Sequence, residues 1–319
     1  MFEIVRYTSE HIDEWNTFVA KSKNGTFLFD RSYMDYHSDR FKDHSLMVYK
    51  QSRLYALLPA NSDEEGTLWS HKGLTFGGLI MSDRCRTEDI CNLFQQLNTF
   101  LQKAGFRKVV YKPTPWHYCN LPSQEDLYAI IQTCKASIRS RDIASVVDLL
   151  HRISFSELRK RGIKKAQKAG VVISESNNLE GFWSLLADHL HSKFNVLPVH
   201  TLQEIALLRE RFPKNIRLYI ASIDDRMVGG TLLYCSGQTV KTQYISANEE
   251  GLQCGAIDLL FDNLLMKSQE AGFRYFDFGT SNMPGSSELH TSLIHQKEGF
   301  GARAVCYDTY EWEIQPIEP

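Results

Sequence analysis

The sequence has no C-x-x-C pair, no low-complexity tract and no apolar run near the roughly 18–20 residues that a spanning helix needs. Its seven cysteines are scattered, which argues against a zinc knuckle and against a disulfide framework. Charge of one sign is also missing: 36 Lys and Arg stand against 38 Asp and Glu, and the pI is about 6.6. Bulk charge therefore does not drive binding to nucleic acid or anionic lipid, and any such binding must use a local patch. The N-terminus Met1-Phe2-Glu3-Ile4-Val5-Arg6 lacks the basic region and apolar core of a secretion signal. These absences predict a soluble cytoplasmic protein without integral membrane association. What is present, 43% apolar residues in 319, is enough for two domains or for one domain built from two halves.

An internal repeat organises the chain. Residues 90–107, ICNLFQQLNTFLQKAGFR, align with residues 257–274, IDLLFDNLLMKSQEAGFR. Identities fall at Ile90/Ile257, Leu93/Leu260, Phe94/Phe261, Leu97/Leu264, Gln102/Gln269 and the closing Ala-Gly-Phe-Arg. The shared apolar positions have helical spacing, the glycine suits a left-handed cap, and a strand-like run follows. Upstream of each copy lies a hairpin pattern, 44–58 and 216–233. Helices, a meander, then a helix and a strand, occurring twice, predict a duplicated α/β (α+β) protein with units 1–150 and 151–319.

Function is expected where the copies differ. Asp277 in the second copy aligns with Val110 in the first. A carboxylate inside an aromatic strand is costly to bury unless paired. It reads either as a general base or an anchor for a substrate amine or a catalytic loop at the sheet mouth, or as a cap for the loop opening at Gly279. Asp277-Phe278-Gly279 spells the kinase metal-binding tripeptide, but neither a glycine-rich loop nor a catalytic loop accompanies it.

Residues 154–170 read as a basic helix opened by a Ser154/Glu157 capping box and closed by Gly170. Arg161, Lys164, Lys165 and Lys168 stand at i, i+3, i+4 and i+7, one contiguous stripe suited to a phosphate-bearing partner such as a nucleotide, a CoA tail or tRNA. His189 and His191 do not share a helical face, so no metal site is expected. His200, before the helix that starts at Thr201, either faces a cleft or fixes its loop. Gly251–Ala256 reads as a loop before the repeat helix, either a plain glycine turn or a place where backbone amides would receive a pyrophosphate, with Gln253 and Gly255 as its contacts. Lys297, just before Gly299-Phe300-Gly301, would polarise an acyl carbonyl or stand exposed.

The basic helix from Arg159 to Gly170, the Asp277-Phe278-Gly279 strand end and the Lys297-x-Gly-Phe-Gly close, in that order, resemble the Fem-type aminoacyltransferases of peptidoglycan bridge formation and related GNAT-like acetyltransferase domains. The resemblance implies two tandem GNAT-like units, each a mixed, mainly antiparallel sheet flanked by helices, with catalysis in the second. It implies carbonyl assistance from Lys297, amine orientation or deprotonation by Asp277, and a phosphate-binding channel with Arg159, Lys165 and Lys168. His200, Tyr244, Gln253, Gly255, Ser281 and Asn282 complete the residues expected to bind substrate or donor. The activity implied is acyl or aminoacyl transfer from acyl-CoA or aminoacyl-tRNA to an amine, such as that of a cell-wall precursor, with no tightly bound cofactor. Two features depart from the family: no helical arm is visible, and Gln253-Cys254-Gly255-Ala256 is shorter than a full acetyl-CoA loop. The competing reading is a non-catalytic GNAT scaffold that binds a nucleotide, RNA or protein through the helix at 154–170.

Overall fold

The computed structural model describes residues 1–70, 72–283 and 285–314. The chain divides into two compact units, Met1–Arg141 with the stretch from Tyr307 onward, and Asp142–Cys306. The first unit opens with β1 (Phe2–Arg6), α1 (Ile12–Lys21) and α2 (Arg31–Met34). Strands β2 (Lys42–Asp43), β3 (Leu46–Lys50), β4 (Arg53–Leu58), β5 (Asn61–Ser62), β6 (Thr67–Trp69) and β7 (Ile80–Met81) follow. Then come α3 (Thr87–Lys103), β8 (Lys108–Tyr111) and α4 (Glu125–Cys134). One sheet runs β1-β3-β4-β7. In the other, β2 pairs β5, β5 pairs β6 and β6 pairs β8, which is also antiparallel to the end of the last strand, Arg303–Glu313.

The repeat explains why α3 is where it is. Ile90, Leu93, Phe94, Leu97 and Leu101 all point into the core, and Gly105 takes φ +86°, so the helix stops and the chain reverses into β8.

Strand β9 (Ser137–Asp148) carries the chain into the second unit. There α5 (Glu157–Lys168), β10 (Val172–Glu175), α6 (Leu179–Phe194) and α7 (Leu202–Arg211) precede the meander β11 (Ile216–Ile223), β12 (Arg226–Ser236) and β13 (Thr239–Ala247). Helices α8 (Glu249–Cys254) and α9 (Ala256–Glu270), strand β14 (Tyr275–Thr280) and helix α10 (Thr291–Glu298) follow, and the last strand, β15 (Arg303–Glu313), begins in this unit and ends in the first. The strand order is β10-β11-β12-β13-β14-β9. Helix α9, the second copy of the repeat, buries Ile257, Leu260, Phe261, Leu264 and Leu265 on one side of this sheet. The mixed, mainly antiparallel sheets flanked by helices match the expected fold class. Among the described residues, no helix is long and apolar enough to cross a membrane.

Two local readings change. The basic helix starts at Glu157 and not at Ser154: Ser156 is the N-cap, its Oγ accepting from Arg159 N. Starting later leaves Phe155 free to pack edge-on against Phe300, at 5.6 Å between centroids. Gly251–Ala256 is helical rather than a loop. Asn248 caps α8 by accepting from Gly251 N at 2.8 Å, and Gly255, at φ +81°, is the joint from which α9 departs.

That joint has no spare volume. A Cβ on Gly255 would lie 2.5 Å from the carbonyl oxygen of Gly162 on α5, whereas one on Gly272, also left-handed at φ +85°, would meet nothing within 4 Å. Gly255→Ala is therefore expected to cost about 2–4 kcal/mol, from strain plus displacement of α5. Gly272→Ala should cost only the strain, about 1–2 kcal/mol. Urea denaturation of the two variants checks the difference, and equal losses would mean that the α5–α9 crossing yields easily.

Candidate active site

The site in the second unit is made by the pair β13–β14, the parallel contact in an otherwise antiparallel set of neighbours. It pairs Thr239 with Tyr275, Val240 with Phe276 and Lys241 with Asp277, and ends there. Past Asp277, the register of β14 against β9 shifts before Thr280, and Gly279 takes φ +72°. Along β13, a bulge opposite Leu232 and Leu233 inserts Gln243. Its effect is visible in the packing: Val240 and Ile245 share the α9 core, while Tyr244 turns to Trp183 of α6, 5.2 Å between ring centroids.

Asp277 has no solvent exposure. Its Oδ1 accepts the Gly279 N–H at 2.7 Å, which is the capping role one reading foresaw, and the strand register sets it beside Lys241. Lys297, on α10, is 6% exposed, and its Nζ donates to the carbonyls of Gly279 at 2.9 Å and Thr280 at 2.6 Å. An ammonium has three hydrogens, so these bonds leave one. Burial draws Lys297 down to about 8; the charge of Asp277 works against this and that of Lys241 with it. The sequence alone favoured an exposed lysine here. Its partners are backbone carbonyls, which leave no mark in a motif.

Ser281 and Asn282 continue from this turn. Ser281 is fully buried, with a hydroxyl that makes no hydrogen bond among the described residues, and Asn282 Oδ1 accepts from Ile143 N at 2.9 Å. Farther along β13, Lys241 Nζ donates to Gln243 Oε1 at 2.8 Å, and Tyr244 Oη lies 2.6 Å from His200 Nδ1. Burial pushes the Tyr244 hydroxyl up to about 12, so it stays a neutral partner for His200. Lys241 was missed in the sequence. Its signal is a lysine inside the strand Thr239-Val240-Lys241-Thr242, on the strand that turns out to neighbour Asp277.

The remaining expected residues lie elsewhere in the unit. Arg159 Nη1 is 2.6 Å from Asp258 Oδ1 on α9, and its guanidinium sits 5.2 Å from the Phe300 ring centre, so it joins α5 to its neighbours. Burial raises the Asp258 carboxyl even with that arginine beside it. Lys165 and Lys168 are exposed, as are Arg161 and Lys164. Gln253 is exposed on α8 and donates to Glu249 Oε1 at 3.1 Å. The start of α9 does not fit a diphosphate: Ala256, Ile257 and Asp258 are buried, Gly162 covers Gly255, and the Asp258 carboxylate would oppose an anion.

Comparison with known proteins gives the fold its name. Residues 156–285 match the family model of the acetyltransferase (GNAT) domain. The structure of FemX superposes with a TM-score of 0.71 at 10% identity, covering 98% of this chain and 97% of that one. L-PGS from Bacillus licheniformis gives 0.61 at 11%, covering 96% and 91%. A tandem GNAT protein from the clavulanic acid biosynthesis pathway gives 0.50 at 12%, covering both chains fully. No curated protein matches the sequence.

The lowered Lys297 fixes a sign for stability. Its charged form is disfavoured in the fold, so the penalty is complete below about pH 8 and is relieved as pH rises towards the ordinary value of 10.5. Across that window the native protein is expected to gain about 3 kcal/mol that Lys297→Met does not gain. Denaturant titrations at pH 7.5 and 10 compare the two. Parallel pH profiles would mean that the lysine is solvated.

Proposed function

Since the chain is a tandem GNAT-fold protein, we propose that it is an N-acyltransferase of the Fem type, working at Asp277 and Lys297 of the second unit. The observation that carries this reading is the buried Lys297–Asp277 pair at the point where the β13–β14 ladder stops. A desolvated lysine whose pKa is drawn down, beside a buried carboxylate, is the kind of arrangement that reaction centres use.

In this reading the acceptor amine attacks the acyl carbonyl carbon. The remaining N–H of Lys297 donates to the oxygen on which negative charge develops, held in place by the two backbone carbonyls. Asp277 orients the amine and takes up its proton; the new C–N bond forms, the ester C–O bond breaks, and Asp277 passes that proton on to the departing alkoxide. Tyr244 with His200, and Ser281 with Asn282, supply polar contacts for the reactants on either strand.

Two observations favour an ester donor, aminoacyl-tRNA, over acyl-CoA. The diphosphate position at α9 is closed, and the exposed stripe of Arg161, Lys164, Lys165 and Lys168 suits a polyanionic backbone. The acceptor in this reading is the amine of a cell-wall precursor, and its support is the resemblance to the Fem-type enzymes.

Transfer of a labelled aminoacyl group from tRNA to a peptidoglycan-precursor amine tests this, with acetyl-CoA as the other donor. Lys297→Met and Asp277→Asn are each expected to lower kcat by about 10²–10³. Because Lys297 must be charged to donate, activity should fall as pH rises through about 8, and Lys297→Arg should move that limb upward. Unchanged turnover in both first variants would sink the site. Turnover with acetyl-CoA alone would overturn the donor.

A further inference from the structure

The first unit repeats the strand arrangement of the site just described and furnishes it differently. Its parallel pair β6–β8 also lasts three pairs: Thr67 with Lys108, Leu68 with Val109, Trp69 with Val110. Val110 is the residue that the internal repeat aligns with Asp277, so both ladders stop at the same repeat position. At the end of this one lies a cavity of about 280 Å³ within the first unit, lined by Trp69, Ser70, Lys72, Lys112, Arg139 and Thr309 among others.

Every charged residue lining this cavity, Lys72, Lys112 and Arg139, is basic. Two of them are arranged by one ring: Lys72 Nζ lies 4.7 Å and the Arg139 guanidinium carbon 5.6 Å from the Trp69 ring centre. The ring is itself fixed, because Trp69 Nε1 donates to Asp63 Oδ2 at 2.7 Å, while Asp63 accepts the amides of Glu65 and Thr67. Ser70 Oγ accepts from Lys112 N at 2.7 Å, which ties the base of the third cation to the opposite wall. Arg139 also meets Glu311 at 2.7 Å, and Glu311 is shared with Lys108. Neither Asp63 nor Glu311 lines the cavity. Three cations around a concave space with hydroxyls at its wall form a receptor for a compact anion with several oxygens.

We propose that this cavity is a phosphate-binding site, taking the phosphate group of a small phosphate ester or free inorganic phosphate. It concerns binding only and stands independently of the transfer reaction. Its size suits a single phosphorylated ring, and Arg139 with Lys72 and Lys112 would divide the phosphate oxygens between them.

The test uses the full chain and two readouts, tryptophan fluorescence and calorimetry. Inorganic phosphate, ribose 5-phosphate, uridine monophosphate and, as a carboxylate control, acetate are titrated separately. Saturable binding of one or more phosphates is expected, with a fluorescence change that Trp69→Phe removes. Arg139→Gln and Lys72→Gln should each weaken affinity about tenfold, a loss typical of one charge-assisted contact. Both side chains are exposed, so the variants should keep the native far-UV spectrum and melting temperature, and the glutamine at either position keeps most of the stem. Binding of the esters but not of phosphate assigns the site to an esterified ligand; binding of phosphate alone assigns it to the free ion. No saturable heat with any phosphate at 10 mM, acetate binding as well as phosphate, or affinity unchanged in the Arg139→Gln/Lys72→Gln double variant would each overturn the proposal.

Discussion

Asp277 is a carboxylate with no access to water, and the surrounding part of the second unit is arranged around that fact. An isolated buried charge is prohibitive, so the chain supplies compensation at once: the backbone turns after Phe278, and the Gly279 N–H comes back to the carboxylate. That turn needs a left-handed residue, which is why a glycine stands there. It also takes β14 out of regular register, leaving the carbonyls of residues 279 and 280 to be satisfied by something other than a strand. Lys297 fills this need from α10, 18 and 17 residues away, and its charge interacts with that of Asp277. One buried acid thus accounts for a turn, a broken register and a buried lysine.

The same economy appears in α5, which has two faces with opposite tasks. Gly162 and Ala166 let it approach α9 closely, and Arg159 locks the crossing through Asp258. Its lysines are left on the outside because that approach consumes the narrow inner face. The close crossing also fills the space at the head of α9. The helix that carries the exposed basic stripe is therefore the same one that fills the space at the head of α9. In the proposed reading, the donor preference follows from packing rather than from a missing motif.

How much of this was legible in the sequence follows from the range of each interaction. The repeat, the helix α3 with its counterpart α9, and the glycines that end them are encoded within a few residues, so periodicity and cap chemistry sufficed. The α8 segment was hidden because Gly251 and Gly255 look like loop residues; Gly251 is there because a Cβ would come 2.1 Å from the Val228 carbonyl oxygen on β12. Asp277 could be singled out because a charge amid Tyr275, Phe276 and Phe278 breaks the local pattern. Lys241 could not, since a lysine alternating with apolar residues reads as the wet face of a strand until the parallel neighbour is known. Arg159 had the composition of a phosphate ligand, and only the tertiary crossing shows it held by Asp258.

The duplication supplies its own control on why Asp277 is charged. In the first unit the corresponding residue is Val110, 2% exposed, and its ladder likewise forms three pairs and stops at the same repeat position. The arrangement consequently needs no carboxylate to fold. Burying an acid and a lysine lowers stability unless both are fully compensated, and the depressed Lys297 shows that burial outweighs its neighbours' help. A costly pair that the fold can do without, kept in one copy and absent from the other, has to be accounted for by something other than folding. That contrast within a single chain is the physical reason for placing the proposed chemistry in the second unit.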